Sequence, residues 1–281
     1  GILSSVRGVR AASREELLAK LLARLDRFLE LGTTTIEAKS GYGLTTGDEL
    51  KSLEVIRAAA AIHPVEIVPT FLGAHEYPPE YRDDRGAYVD LLVEEMLPRI
   101  AQEKLAEYCD VFTEGHVFGI EDSRRILRRA LDLGLRPRLH ADQLSRLGGA
   151  ELAAEVGAAS ADHLEFVDDA GIDALARAGV VPVLSPVVPL FLRVEKEAPG
   201  RRMIDREERG AIGALGDDEE AIAETGDVCV YRTAHGRFAY VWIVDGEREL
   251  IGSSGLRLIA AERKALRGAI GDDEDAPSEH G

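Results

Sequence analysis

Short apolar runs alternate with amphipathic stretches through the first two thirds of the chain. The apolar runs predict strands over residues 34–38, 65–72, 109–113, 135–139, 160–166 and 180–184. Between them, apolar residues recur at three- and four-residue spacing. This spacing predicts helices over residues 13–31, 46–61, 87–107, 120–133, 148–156 and 168–178. Strands separated by helices are typical of right-handed βαβ units, whose strands lie parallel in one sheet.

Six such units are more than a small doubly wound sheet usually needs, and a (β/α)₈ barrel accommodates them better. A complete barrel requires eight units. Residues 1–193 are therefore predicted to form a partial (β/α)₈ TIM barrel, in an α/β protein whose loops at the carboxyl ends of the strands carry the functional residues.

The pattern changes after residue 193. Residues 194–226 are polar and acidic and predict a linker. Residues 227–270 contain three alternating strand patterns and one amphipathic stretch, which predict a small β-β-β-α module. Asp245 and Gly246 are interpreted as a tight hairpin turn in that module rather than as part of a ligand site. Residues 271–281 are acidic and predict a disordered tail.

The charge balance limits the classes of partner. The chain carries 51 acidic and 34 basic residues, a formal net charge of −17, and such a surface is repelled by nucleic-acid phosphates. No apolar run reaches the roughly 20 residues that cross a bilayer, so we expect no membrane partner and a cytoplasmic location.

The 34 basic residues comprise 28 Arg and 6 Lys. Together with the excess of acidic residues, this ratio favours a halophilic source over a GC-rich genome alone. The start at Gly1 rather than Met predicts an internal fragment or a chain whose start was lost.

Histidines follow the predicted strands at four places, namely His75, His116, His140 and His163. A single histidine at a strand end is more often structural than functional, but several at successive strand ends are hard to explain as structural. Imidazoles and a carboxylate around a divalent ion lower the pKa of a bound water to about 7. The pattern therefore predicts metal-assisted hydrolysis at one rim of the barrel.

Several long motifs occur in the order found in one family, namely GILSSVR, KSGYGLTTGDELK, TFLGAHEYPPEY, EEMLPRIA and LHADQLSRLGGAELAAEVGAASADHLE. Residues 1–193 thereby resemble imidazolonepropionase, the amidohydrolase of histidine degradation. The resemblance implies that these residues form about strands 2 to 7 of the barrel. It also implies hydrolysis of the ring C–N bond of a small-molecule substrate, 4-imidazolone-5-propanoate, to N-formimidoyl-L-glutamate, with one divalent zinc or iron ion.

The resemblance also implies roles for five residues. His140 of HADQ matches a metal ligand, and Gln143 of the same motif matches a position in contact with the reacting substrate. His163 of SADHLE matches the histidine that transfers a proton or stabilises the tetrahedral intermediate. Tyr42 and His75 match substrate contacts.

Three of the family's site segments have no counterpart that we find in this sequence: the His-x-His pair, the arginine after it and the segment with the metal-binding aspartate. We therefore expect the activity of this chain to be impaired. Two alternatives remain open: another cyclic-amide amidohydrolase or deaminase with the same metal chemistry, or an inactive truncated or fused relic. A homodimer is one assembly that the sequence allows.

Overall fold

Six parallel strands form one curled sheet in the order of the sequence. They are β1 (Thr35–Lys39), β2 (Glu66–Ala74), β3 (Tyr108–Thr113), β4 (Arg136–Ala141), β5 (Ser160–His163) and β6 (Val181–Val183). The computed structural model describes residues 2–185, 187–194, 196, 198–200 and 202–203, and the backbone of three strands between residues 229 and 251. The partial α/β barrel predicted from the sequence is confirmed.

Helices connect the strands and flank the sheet. They are α1 (Ile2–Ala11), α2 (Arg14–Glu30), α3 (Thr46–Ala60), α4 (Arg85–Leu91), α5 (Leu97–Glu103), α6 (Ile120–Asp132), α7 (Gly149–Glu155), α8 (Asp169–Ala178) and α9 (Val187–Leu192). Side-chain caps begin several of them; for example, Ser13 and Glu16 form a reciprocal capping box at the start of α2. In the part of the chain that the structure describes, no helix is both long and apolar enough to cross a membrane.

The helix predicted over residues 87–107 is present as one continuous helical stretch over residues 85–103, made of α4, a π-helical turn (Leu92–Met96) and α5, and it ends four residues earlier than predicted. Pro98 has no backbone N–H to continue the α-helical ladder, and just before it the N–H of Leu97 bonds the carbonyl of Leu92 in a wider turn. The helix then ends at Lys104, which has a positive φ of 51°. Helices α1 and α9 were not predicted.

The strand predicted over residues 160–166 is also too long. Strand β5 ends at His163, where φ becomes positive at 79°, followed by 65° at Leu164. The N–H of Leu164 makes the last ladder bond, to the carbonyl of Ala141 at 3.1 Å, and the N–H of Phe166 then bonds the carbonyl of Asp142 at 2.7 Å, in the loop after β4. Two consecutive positive φ values at residues other than glycine are strained, and such strain concentrates at functional sites.

An apolar core lies between the sheet and its helices. It includes Phe71 and Val111 from the strands and Leu53, Met96 and Leu127 from the helical segments, all buried. Cys109 of β3 is fully buried in the same core, and burial raises the pKa of its thiol, as does the neighbouring carboxylate of Asp110.

Three further strands form a separate antiparallel sheet: β7 (Cys229–Arg232), β8 (Phe238–Val244) and β9 (Glu247–Ile251). The three strand patterns predicted in residues 227–270 are thus present. Val244 pairs with Glu247, which leaves two residues to connect β8 and β9. The predicted linker over residues 204–226, the turn at residues 245–246, the module's helix and the tail over residues 271–281 lie outside the described residues.

Candidate functional site

A row of aromatic rings crosses the carboxyl ends of the strands. The ring of Tyr42, in the loop after β1, lies 5.0 Å from that of His75, which follows β2. His75 lies 5.9 Å from His140 of β4, and His140 lies 5.1 Å from His163 of β5, all measured between ring centroids. Phe112 of β3 packs 5.7 Å from His140. The structure therefore brings Tyr42, His75, His140 and His163 together on one rim, as the sequence predicts.

The loop that carries Tyr42 is held by a buried carboxylate. Glu49 of α3 accepts the backbone N–H groups of Gly41, Gly43 and Leu44 at 2.8–2.9 Å. Gly41 has a φ of 104°, and a Cβ there would lie only 2.6 Å from the carbonyl oxygen of Leu72. Only glycine fits that close approach to β2. The KSGYG loop is thus fixed against the sheet, with Tyr42 at its tip.

His75 and His163 are neutral at physiological pH. Burial lowers the pKa of His75 to about 4 and that of His163 to about 3, with the neighbouring His140 acting in the same direction. Nδ1 of His75 lies 3.2 Å from the carbonyl oxygen of Gly41 and donates to it, which leaves Nε2 as an acceptor. Nδ1 of His163 is buried and has no hydrogen-bond partner among the described residues.

His140 is oriented by a buried carboxylate. Its Nδ1 lies 3.1 Å from Oδ1 of Asp110, so Nδ1 donates and Nε2 is left for another partner. Lys39 Nζ lies 2.6 Å from Oδ2 of Asp110 and 3.0 Å from Oδ2 of Asp162. Burial alone would raise the pKa of Asp110, but His140 and Lys39 together hold it well below its usual range. Asp110 is therefore ionised.

The charged interior of the barrel was missed at the sequence level. Glu37 of β1 accepts from Arg138 Nη1 of β4 at 3.2 Å and from Thr70 of β2 at 2.6 Å, beneath the ring row. A pattern could have revealed it, since strands buried on both faces are usually continuously apolar. Here polar residues alternate at two-residue spacing, as in Glu37-x-Lys39 and Arg138-x-His140. That spacing places both side chains of each pair on one face of the sheet, here the face turned into the barrel.

The donor groups at this rim fit a divalent metal ion in kind. One ligand atom each from Asp110, His140 and Asp162 lie within 4.8 Å of one another. However, both carboxylates already bond the ammonium group of Lys39, which occupies the cation's place between them. The ligand atom that the geometry leaves available is Nε2 of His140, and the role of that residue as a metal ligand stays a prediction.

The remaining residues of the HADQ motif differ in role. Asp142 is fully buried and accepts the N–H groups of Leu147, Gly148, Gly149 and Ala150 at 2.8–3.2 Å, so it fixes the start of α7. Gln143 is buried in the segment that follows β4. Its contact with substrate stays a prediction.

Two curated relatives show how far the sequence similarity extends. The chain is 56% identical over 219 residues to the imidazolonepropionase of Symbiobacterium thermophilum, an alignment that covers 78% of this chain and 51% of the relative. It is 51% identical over 224 residues to that of Myxococcus xanthus, covering 80% and 53%. The resemblance found in the motifs is confirmed, and the chain spans about half the length of these relatives. No family model matches the chain.

Solved structures with low sequence identity share the fold. An adenine deaminase from Arthrobacter aurescens superposes with a TM-score of 0.51 at 16% identity, covering 69% of this chain and 60% of its own. The 5-methylcytosine deaminase from Klebsiella pneumoniae gives a TM-score of 0.52 at 14% identity, covering 73% and 52%. These likenesses support a barrel architecture for the six-stranded sheet.

Proposed function

We propose that this chain forms the substrate- and metal-binding part of an imidazolonepropionase, which hydrolyses the ring C–N bond of 4-imidazolone-5-propanoate. The observation that carries the proposal is the contiguous row Tyr42, His75, His140 and His163. Its members come from four different strand ends and lie within motifs shared with relatives at 51–56% identity. A different cyclic-amide hydrolase, a deaminase or an inactive relic is not favoured, because the curated relatives carry the imidazolonepropionase name.

Each residue of the row has a chemical task in this proposal. His140 holds one divalent ion, zinc or iron, through Nε2, and the bound ion supplies Lewis acidity and an activated water. His163 is neutral at pH 7 and can take a proton from the attacking water and return it to the ring nitrogen that leaves. His75 accepts a hydrogen bond from the substrate through Nε2. Tyr42, partly exposed at the mouth, contacts the ring or the propionate.

Gln143 completes the proposed substrate contacts. Its amide offers both a donor and an acceptor, and an imidazolone ring presents both an N–H and a carbonyl. The proposed partner of the site is thus a small molecule.

The test is a chimera in which residues 2–193 replace the matching segment of the Symbiobacterium thermophilum relative. We expect it to hydrolyse imidazolonepropionate and to contain a stoichiometric ion by mass spectrometry. His140→Asn should lower the metal content and, with it, the rate. His163→Asn should keep the metal and lower turnover by a factor on the order of 10² to 10⁴, the usual contribution of a proton-transfer group.

His63→Asn is the matched control, because His63 lies before β2, away from the ring row, where it accepts the N–H of Val65. It should change neither metal content nor rate. A folded chimera that binds no metal, or that deaminates a base and leaves imidazolonepropionate intact, would contradict the proposal. Loss of metal in His163→Asn with retention in His140→Asn would reverse the two assignments.

A further inference from the structure

We propose that Lys39 and Asp110 are positioning residues that act in series on His140: Lys39 holds the Asp110 carboxylate, and Asp110 holds the His140 ring with Nε2 open to the metal. This inference rests on the proposed function for the identity of the ion. The arrangement of the three side chains does not depend on it.

The three side chains come from three strands of the curled sheet, in which β3 and β4 are neighbours and β2 lies between β1 and β3. Lys39 ends β1, Asp110 lies within β3 and His140 lies near the end of β4. The two oxygens of the Asp110 carboxylate are divided between them: Oδ2 accepts from Lys39 at 2.6 Å, and Oδ1 accepts from His140 Nδ1 at 3.1 Å. A carboxylate between an ammonium and an imidazole can accept only, so it fixes the proton of His140 on Nδ1.

Lys39 is held from more than one side. Its Nζ also bonds Oδ2 of Asp162 at 3.0 Å and lies 3.6 Å from Oε2 of Glu37. Glu37 is in turn bonded by the fully buried Arg138 and by Thr70. With carboxylates of β1, β3 and β5 around it, the ammonium has little freedom to move away from Asp110. The orientation of His140 therefore depends on side chains from several strands of the sheet.

An alternative interpretation gives the same side chains a different role, as direct ligands of the metal ion. Asp110, His140 and Asp162 could bind the ion directly, since their ligand atoms lie within 4.8 Å of one another. In that case Lys39 occupies the metal position and competes with the ion. The two readings predict opposite effects of removing the ammonium group. A partner that orients a ligand typically contributes 10- to 100-fold to metal affinity, whereas a competitor lowers it.

The experiment measures both ring nitrogens of His140 by ¹⁵N NMR in the full 281-residue chain, with the resonances assigned by comparison with His140→Asn. In the wild type we expect the proton on Nδ1 alone. Asp110→Asn should populate the other tautomer, because its amide can donate to Nδ1. Lys39→Met should do so to a smaller extent, and Lys39→Arg, which keeps the charge, should restore the wild-type pattern.

A Zn²⁺ titration of the chimera, which restores the ligand segments not found in this chain, is followed at His140 Nε2 and separates the two interpretations. Asp110→Asn and Lys39→Met should each weaken zinc binding at least about 10-fold, and the exposed control Lys20→Met should not. Tighter zinc binding in Lys39→Met would overturn the proposal, as would a wild-type proton on Nε2 or zinc that leaves Nε2 unshifted. If the His140 proton lies on Nδ1 and shifts in the variants as expected, but the chimera lacks imidazolonepropionase activity, then the proposed function is wrong and the positioning role of Lys39 and Asp110 is retained.

Discussion

Glu165 is a buried carboxyl with little to stabilise its charge. It is only 2% exposed, and its Oε2 has no hydrogen-bond partner among the described residues. Its Oε1 lies 3.9 Å from Nδ1 of His163. Burial raises the pKa of Glu165 to about 7. In the unfolded chain a glutamate releases its proton near pH 4.3.

Glu165 alone should therefore lower the stability of the protein between about pH 4.3 and pH 7, whereas the lowered pKa values of His75 and His163 act in the opposite direction. In that window the Glu165 carboxyl binds more protons in the folded state than in the unfolded state, so its contribution to the free energy of unfolding decreases as the pH rises. Glu165→Gln removes this dependence and should be more stable than the wild type by about 1–3 kcal/mol at pH 8, with the difference vanishing near pH 4. Urea unfolding at several pH values measures it.

The exposed Glu95→Gln is the control and should follow the wild-type curve at every pH. A Glu165→Gln curve parallel to the wild type would show that Glu165 is ionised in the folded protein well below pH 7. Its position beside His163 would then reflect a charged pair.

Among single residues, the sequence pattern predicted the histidines of the site but not the residues that orient them. His75, His140 and His163 stand out because each follows an apolar strand. Lys39 and Asp110 lie 71 residues apart and meet only because β1 to β3 are packed side by side in the barrel. A long-range contact of this kind has no local pattern to predict it.

Helix α3 serves the site through one residue, Glu49. Glu49→Ala leaves three backbone N–H groups of the KSGYG loop without an acceptor, and each buried unsatisfied group costs about 1–3 kcal/mol. We expect a loss of about 3 kcal/mol in the free energy of unfolding, because water can reach part of the opened loop. Urea denaturation provides the measurement.

Glu54→Ala is the matched control on the same helix. Glu54 pairs with Arg14 at the surface, and exposed ion pairs contribute about 1 kcal/mol or less. Equal losses for the two variants would show that Glu49 does not hold the loop.

The strands and most helices could be predicted because hydrophobic periodicity is local. The predicted boundaries fail where the backbone geometry of a few residues decides instead. Pro98 follows a π-helical turn within a continuous helical stretch, and β5 ends where His163 and Leu164 take positive φ values. Neither backbone effect changes the pattern of apolar residues along the sequence, so that pattern could not predict either of them.

The molecule combines a large negative net charge with charged side chains inside the six-stranded barrel. The net charge of −17 is consistent with the halophilic source that the sequence favours, which stays a prediction. Inside, acidic groups are matched by Lys39 and Arg138 rather than by solvent. The structure contains the six parallel strands and brings together the rim residues that the sequence predicts. The roles of Gln143 and of the metal ion stay predictions.

The buried thiol of Cys109 lies next to Asp110 on β3. Only an exposed thiolate reacts with iodoacetamide, so in a Cys229→Ser background alkylation requires β3 to separate from its neighbours. We expect labelling slower than in urea by a factor on the order of 10³ or more, since core strands open with much of the global unfolding free energy. Fast labelling in native buffer would contradict this. The alkylation rate of one native cysteine thus measures how often β3 separates from the helices packed against it.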